Sequence, residues 1–198
     1  MINLAILASG GGSNAEAIIQ YFKNHPTIQV RLIVSNKATA GVLDRADNHQ
    51  IEKLVINRTN FYDTKNFLTQ LKAADIDLIV LAGFLWLIPP YLVTAFPNKI
   101  INIHPALLPK YGGKGMYGQH VHRAVFDNKE TESGITIHYV NAQYDEGNII
   151  LQARCPLLAG DNAEVIANKV LALEHRFYGV TVEMVAMGGS IYSVEVDK

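Results

Sequence analysis

This chain of 198 residues has one cysteine, no surplus of basic residues and few long apolar runs, and each of these features excludes a class of protein. Its one cysteine, Cys155, leaves no possibility of a disulfide framework or a thiolate metal cluster within a single chain. Because Cys155 comes just after an apolar strand-like run, we expect a buried structural thiol and not a nucleophile.

The charge balance and the hydropathy pattern narrow the choice of partners. Lys and Arg number 17 against 18 Asp and Glu, which leaves no basic surplus to neutralise a phosphate backbone. Near the start, the longest apolar run is Leu4 to Ala8, which is far too short to cross a bilayer, and no charged leader precedes it. We therefore expect a cytoplasmic protein that binds a small ligand, with no nucleic acid or membrane as a partner.

Short apolar runs alternate with segments of helical character through the first half of the chain. Nearly continuous apolar strands of this kind are typical of a parallel sheet that is covered on both faces. The pattern predicts an α/β fold with a doubly wound, mostly parallel sheet. The predicted strands are Asn3–Ala8, Val30–Ser35, Lys53–Ile56, Leu78–Ala82, Ile100–His104, Gly134–Val140 and Asn148–Ala153.

Helix signals mark most of the segments between these strands. A long helix is predicted from Asp161, with Glu164 completing a capping box, to about Ala186, and an edge strand over Ser190–Val196. There is no internal repeat or linker, so residues 1–198 are predicted to form one domain. The shorter predicted helices are Ala15–Asn24, which Pro26 stops, Ala40–His49, Asp63–Ala74 and a segment from Pro89-Pro90 through Ala95.

The strand that ends at His104 carries the most informative side chains. Residues two apart on a strand lie on the same face, so Asn102 and His104 are predicted to point together while Ile101 and Ile103 face the other way. An amide donor beside an imidazole can stabilise an oxyanion and move a proton, as acyl-group chemistry requires. The alternative is structural, with Asn102 capping a turn and His104 satisfied in the core.

Glycine is concentrated in two segments that both adjoin predicted strands. Residues 105–118 contain two prolines and four glycines, which is typical of a functional loop. Residues 9–14, here called the glycine turn, have the sequence Ser-Gly-Gly-Gly-Ser-Asn and join the first strand to the first helix. Backbone amides at a helix N-terminus bind anions, above all phosphate. The alternative is a simple helix cap, with Ser13 and Glu16 forming a capping box.

Two other functional classes find little support. The glycine turn matches neither the Walker pattern nor Gly-x-Gly-x-x-Gly, and the second strand ends in Ser35 and Asn36 without the carboxylate that holds a dinucleotide ribose.

His120 and His122 are candidate metal ligands with His138, but a pair two apart on a helix does not share a face. We expect no metal. His138 itself is either a supporting group of the site or a hydrogen-bonded sheet residue.

Four segments carry a resemblance to a known family. In order and spacing they resemble the folate-dependent formyltransferases, and among them the members that act on glycinamide ribonucleotide. The resemblance covers almost the whole chain and implies a Rossmann-like sheet. The segments are Ser9–Asn14, Leu81–Phe84, Asn102–Tyr111 and Asp145–Gln152.

The resemblance also implies a role for individual residues. It divides the chain into a phosphate-binding part, about 1–100, and a catalytic and folate-binding part, about 100–198. The implied catalytic residues are Asn102, His104 and Asp145, and the phosphate of the ribonucleotide is assigned to Gly12, Ser13 and Asn14. The pterin pocket is assigned to Leu85, Trp86, Leu87 and Asn141, together with Asn102 and Asp145; Glu174 is assigned to the substrate ribose and amine, and His138 and Lys110 to supporting positions, with a phosphate contact for Lys110.

The implied reaction moves the formyl group of 10-formyltetrahydrofolate to the primary amine of glycinamide ribonucleotide, in purine biosynthesis. It proceeds by direct attack through a tetrahedral intermediate, in a monomer or homodimer and without a metal. From the residue types we expect Asp145 to favour the imidazolium form of His104 by charge pairing. The alternatives are hydrolysis of the formylfolate, formylation of another amine, and a nucleotide-binding module without activity.

Overall fold

The computed structural model describes residues 1–63 and 66–189 of the chain. The strands in this part are β1 Ile2–Leu7, β2 Ile28–Ser35, β3 Glu52–Val55, β4 Leu78–Leu81, β5 Ile100–His104, β6 Glu132–Tyr139 and β7 Ile149–Pro156. They form one sheet in the order β3-β2-β1-β4-β5-β6-β7. The first five pair in parallel, and β6 and β7 are added as antiparallel neighbours. The predicted mostly parallel α/β fold is confirmed.

Helices fill the connections that the sequence pattern assigns to them. A short π-helical turn at Thr59–Asp63 precedes α3, and the predicted strand at 190–196 lies outside the described residues. No described helix combines the length and apolar character needed to cross a membrane. The helices are α1 Ser13–Phe22, α2 Val42–Asn48, α3 Asn66–Ala73, α4 Pro90–Ala95, α5 Gln119–Asp127 and α6 Ala163–Ala186.

The buried apolar residues form two clusters, one on each face of the sheet. Along β1, Leu4 and Ile6 belong to one cluster while Ala5 and Leu7 belong to the other. The first cluster includes residues of α1, α2, α5 and α6, and the second includes residues of α3 and α4. Helices therefore cover both faces, which explains why the central segments Leu4–Leu7 of β1 and Leu78–Leu81 of β4 are continuous apolar runs.

Neither the predicted capping box at Asp161 nor the alternative one at Ser13 forms. The residue that precedes α1 is Gly12, which has a left-handed backbone and no side-chain cap, so Ser13 is already the first helical residue. The long helix α6 is capped by Asn162, whose side-chain oxygen accepts from the N–H of Val165. Asp161, the predicted cap, instead accepts from Leu158 N–H at 2.9 Å.

The carboxyl ends of the parallel strands position the segments of interest. β1 leads into the glycine turn, β4 into residues 82–88, and β5 into the loop from 105. α6 is tied to this edge by Tyr178, whose hydroxyl donates to the carbonyl of Leu81 at 2.7 Å. Ligand sites in α/β sheets lie at this edge.

Candidate active site

β5 presents Asn102 and His104 on one face, as the alternation predicts. Ile101 and Ile103 lie in the core cluster on the opposite face. The antiparallel neighbour β6 places His138 directly across from Asn102. Two strands thus bring an amide and two imidazoles to one place, and His138 belongs to this group.

The hydrogen bonds of His138 fix the orientation of the Asn102 amide. His138 Nδ1 lies 2.8 Å from the backbone oxygen of Tyr139, and because a carbonyl only accepts, Nδ1 is the donor. His138 Nε2 is then the acceptor for Asn102 Nδ2 at 3.1 Å. The other amide hydrogen has a long contact of 3.4 Å with Asp145 Oδ1. That N–H is the one that is able to turn to a substrate oxygen.

The carboxylate of Asp145 stands at the centre of the group. Its Oδ2 accepts from the N–H of Gly113 at 2.9 Å and lies 3.6 Å from His104 Nδ1, while Oδ1 lies 3.6 Å from His138 Nε2. Burial raises the pKa of this carboxyl, but the contacts with His138, His104 and Gly113 outweigh burial and hold the pKa below its ordinary value. Asp145 is therefore a carboxylate at neutral pH.

The connection between β6 and β7 places Asp145 at the site through a turn whose conformation depends on Asn141 and Gly147. Asn141 Oδ1 accepts from the N–H of Gln143 at 2.9 Å, which opens the turn. Two residues after Asp145, a Cβ on Gly147 would lie 1.6 Å from the carbonyl oxygen of Tyr139, so no other residue fits. The glycine of the Asp-x-Gly pattern is thus a steric requirement of this hairpin.

Burial favours the neutral form of His104, against the charge pairing with Asp145 that the residue types suggest. Only 3% of its surface is exposed, and its Nε2 donates to the backbone carbonyl of Tyr111 at 2.7 Å, which leaves Nδ1 as the bare nitrogen towards Asp145. Burial lowers the pKa of His104, and it outweighs the opposite effects of Asp145 and of the Tyr111 carbonyl. Asp145 does raise the pKa of His104, as the residue types suggest. This effect is smaller than the opposite effect of burying a cation.

The glycine turn is shaped by close packing. Gly12 has a φ of 72°, and a Cβ at this position would lie 2.7 Å from a methyl carbon of Val42. On the other side, Ser9 Oγ accepts from the N–H of Leu85 at 3.0 Å. The turn that is assigned to phosphate therefore adjoins the segment that is assigned to pterin.

A hydrogen bond between Asn14 and Glu174 joins the glycine turn to α6. Asn14 Nδ2 donates to Glu174 Oε2 at 2.9 Å, and Asn14 Oδ1 is buried without a partner among the described residues. Burial raises the pKa of Glu174, and the bond from Asn14 only partly offsets this effect. A buried carboxyl and an unpaired acceptor next to the glycine turn suit the hydroxyl and amine donors of a substrate.

The segment 85–87 lies beside an aromatic group. The ring of Trp86 packs against Phe61 and Tyr62 at centroid distances of 5.6 and 6.0 Å, and the Arg58 guanidinium lies 5.3 Å above it. The carbonyl of Leu87 accepts from the Tyr62 hydroxyl at 3.0 Å. These contacts hold the segment in place and give it an apolar wall.

Lys110 does not join the catalytic cluster. Its amine pairs with the Glu130 carboxylate at 3.0 and 3.3 Å, and its side chain is 67% exposed. The next residue, Tyr111, has a φ of 57° and turns its carbonyl towards His104. After this reversal of the chain the lysine points to the outer side, and its phosphate contact stays a prediction.

The histidines of α5 do not form a metal site with their neighbours. His122 is buried and His120 is exposed, as expected for residues two apart on a helix. Within residues 1–63 and 66–189 there is no group of three or more His, Cys, Asp or Glu placed to hold a metal ion. Cys155 lies within β7 and not after it, and burial raises the pKa of its thiol, which disfavours the reactive thiolate.

Sequence reasoning missed three groups at this edge of the sheet. Two are backbone groups, the Tyr111 carbonyl and the Gly113 N–H, and the four glycines of residues 105–118 signal a loop without specifying its contacts. The third is Arg45, whose Nε donates to the carbonyl of Gly11 at 2.7 Å. No periodic pattern links residue 45 to residue 11.

Comparison with known proteins places this arrangement in a family. The family model described as formyl transferase matches residues 2–182. The chain belongs to the formyl transferase family. Among curated family members, a chloroplastic phosphoribosylglycinamide formyltransferase of Arabidopsis thaliana is 40% identical over 181 residues, 88% of this chain. A phosphoribosylglycinamide formyltransferase of Escherichia coli K12 is 35% identical over 193 residues, which cover 94% of this chain and 88% of that protein.

Solved structures of the family agree with the sequence relatives. A crystal structure of phosphoribosylglycinamide formyltransferase from Anaplasma phagocytophilum has a TM-score of 0.85 and 35% identity, covering 94% of this chain and 88% of that one. The plant relatives are longer, and the matched regions span 62% and 59% of the proteins from Arabidopsis thaliana and Vigna unguiculata.

Proposed function

We propose that the protein is a phosphoribosylglycinamide formyltransferase, which transfers the formyl group of 10-formyltetrahydrofolate to the primary amine of glycinamide ribonucleotide in purine biosynthesis. The observation that carries the proposal is the position of Asp145, which lies 3.4 Å from the Asn102 amide and 3.6 Å from the His104 ring, at the edge of the sheet that also holds the glycine turn. Relatives of this name, which match most of the chain, support the same reaction.

The attacking group needs little help from a base. An α-amine titrates near pH ~8, so on the order of a tenth is neutral at pH 7. Its nitrogen attacks the formyl carbon, the N–C bond forms, and the carbonyl oxygen becomes an oxyanion. The N–H of Asn102 that makes the long contact with Asp145 turns to that oxygen and stabilises it, a contribution that is typically about 10²–10³ in rate for one donor.

The proton passes through His104. Its bare Nδ1 accepts the proton that the attacking amine loses, and the carboxylate of Asp145, 3.6 Å away, stabilises the imidazolium that forms. Collapse of the intermediate breaks the bond from carbon to N10 of the folate, and the imidazolium returns its proton to that nitrogen. The products are the formylated ribonucleotide and tetrahydrofolate, with no covalent enzyme intermediate.

The substrate contacts follow the edge of the sheet. The amides of Gly12, Ser13 and Asn14 hold the ribonucleotide phosphate at the start of α1. Asn14 Oδ1 and Glu174 take the ribose and amine donors. The pterin lies against residues 85–87 and 141–145, with Asn102 and Asp145 at the reacting end.

The division of the chain into a phosphate-binding part and a catalytic part belongs to this proposal, within a single domain over residues 1–198. The Asn14–Glu174 hydrogen bond links the two parts, so they do not act as separate units. We also propose a cytoplasmic monomer or homodimer. Light scattering with and without both substrates measures the oligomeric state, and cell fractionation measures the location.

An absorbance assay of tetrahydrofolate release tests the function directly. With 10-formyltetrahydrofolate present, we expect release only when glycinamide ribonucleotide is added, and release slower by about 10²-fold from a His104→Gln control. Separate reactions contain water alone, an amino sugar, or tRNA as the acceptor. Release with water alone would identify a hydrolase, and release with another amine but not with glycinamide ribonucleotide would overturn the proposed acceptor.

A further inference from the structure

The turn of residues 110–113, here called the catalytic turn, contacts both titratable catalytic residues through its backbone. The Tyr111 carbonyl accepts from His104 Nε2 at 2.7 Å, and the Gly113 N–H donates to Asp145 Oδ2 at 2.9 Å. The first contact keeps the His104 proton on Nε2 and so leaves Nδ1 bare. Any shift of this turn changes the tautomer and the position of the reacting nitrogen.

The outer side of the catalytic turn is attached to one carboxylate. Glu130, in the connection between α5 and β6, accepts from the Tyr111 hydroxyl at 2.8 Å and from Lys110 Nζ at 3.0 Å. The Tyr111 phenol keeps its proton, because burial and the neighbouring Glu130 raise its pKa to about 12. One side chain therefore holds two consecutive residues of the turn.

Packing alone does not fix the catalytic turn. A cavity of about 210 Å³ lies against it. Leu108, Pro109 and Tyr111 line the cavity, together with residues that include Ser133 and Arg154. Tyr111 also has a φ of 57°, a conformation that a non-glycine residue keeps only where its surroundings enforce it. The Tyr111 side chain packs partly against the core cluster, and on the side of the cavity the polar contacts to Glu130 add to that restraint.

We propose that Glu130 is a positioning residue for His104, acting through the Tyr111 hydroxyl and the backbone carbonyl of the same tyrosine. It touches neither substrate nor the reacting atoms. Its effect on rate rests on the proposed formyl transfer, whereas its effect on His104 does not, so the two are measured separately.

The test compares Tyr111→Phe, Glu130→Ala and Glu130→Gln with the matched control Glu132→Gln. Glu132 lines the same cavity and pairs with Arg154 without contacting the turn. NMR of the histidine rings reports the tautomer and pKa of His104, whose signals are identified by their loss in His104→Gln. Steady-state kinetics with both substrates gives kcat and KM separately.

In Tyr111→Phe and Glu130→Ala we expect the pKa of His104 to fall, because the carbonyl that favours its cation moves away, and kcat to fall by about 10- to 100-fold with smaller changes in KM. Glu130→Gln is expected to retain most of the activity, since its amide oxygen still accepts from Tyr111. An unchanged His104 titration in both Tyr111→Phe and Glu130→Ala, or an equal change in Glu132→Gln, would overturn the proposal. If the wild type transfers no formyl group, the NMR result still decides it.

Discussion

The glycine turn and the catalytic turn lie at the same edge of the sheet but are held by different forces. In the glycine turn, a Cβ on Gly12 would collide with Val42 at 2.7 Å. In the catalytic turn, a Cβ on Gly113 would meet no atom within 4 Å, whereas one on Gly112 would lie 2.5 Å from the end of the Leu108 side chain. Hydrogen bonds to Asp145 and Glu130 add to this single close contact and hold the turn. Steric packing therefore dominates in the part assigned to substrate binding, and charged groups contribute beside packing in the part assigned to chemistry.

This difference predicts how each turn responds to substitutions and to pH. A turn that is fixed by packing responds to side-chain volume and hardly to pH. A turn that is fixed by carboxylates beside buried histidines responds to pH and to charge-changing substitutions, because the charge of each group there shifts the pKa of its neighbours. Substitutions and pH therefore separate the two regions.

The largest effect is expected from Asn102→Ala, on the catalytic side of the comparison. Loss of the amide donor for the oxyanion should lower kcat by about 10²–10³ with little change in the KM for glycinamide ribonucleotide. Steady-state kinetics checks this expectation. Asn128→Ala is the matched control, because the Asn128 amide only caps the end of α5. A kcat within about twofold of the wild type would remove Asn102 from the catalytic residues.

Gly12→Ala should break the glycine turn through volume alone. The collision with Val42 and the positive φ are expected to cost about 2 kcal/mol of unfolding free energy and to raise the KM for glycinamide ribonucleotide. Urea unfolding and kinetics measure the two effects. Gly10→Ala is the control for stability, since a Cβ there meets nothing within 4 Å. Equal stability losses in the two variants would contradict the steric account.

Acid is expected to lower the stability of the protein through the buried histidines of the catalytic side. Burial lowers the pKa of both His104 and His122 below the ordinary 6.5, so at pH 5.5 the unfolded chain binds more protons than the folded one. The free energy of unfolding is therefore expected to fall as pH falls from 7.5 to 5.5. His104→Gln should make this fall shallower in urea unfolding at the two pH values. A slope as steep as that of the wild type would show that His104 is not held neutral.

Ser9→Ala is expected to have the smallest effect. It removes the acceptor of the Leu85 N–H and should cost about 1 kcal/mol of stability. The KM for 10-formyltetrahydrofolate should rise more than the KM for the ribonucleotide, because the affected segment is the proposed pterin wall. Kinetics with each substrate varied in turn measures both, and a rise confined to the ribonucleotide would place the pterin elsewhere.

Local patterns in the sequence were enough to predict the strand that carries the site. The bounds of β5 agree residue for residue with the predicted Ile100–His104, since an apolar run is limited there by Lys99 and by Pro105. The shared face of Asn102 and His104 follows from the two-residue period of a strand. These are properties of a few adjacent residues.

Contacts between distant segments were not predictable in the same way. Asp145 reaches Asn102 across 43 residues, and only the resemblance to the family pointed to this pairing. The charge of His104 depends on burial, which the residue types alone do not report; Asp145 raises the pKa of His104 as expected, but burial outweighs this effect. Ser13 and Glu16 have the spacing of a capping box, but Glu16 binds Arg45 and His49 instead.

The most direct test of the account is a double-mutant cycle on His104 and Asp145, with kcat measured at saturating concentrations of both substrates. If Asp145 acts by stabilising the proton that His104 carries, then Asp145→Asn should lower kcat in the wild-type background and have almost no further effect in His104→Gln. Losses that multiply in the double variant would contradict a shared proton path, and near-normal turnover in Asp145→Asn alone would do so outright.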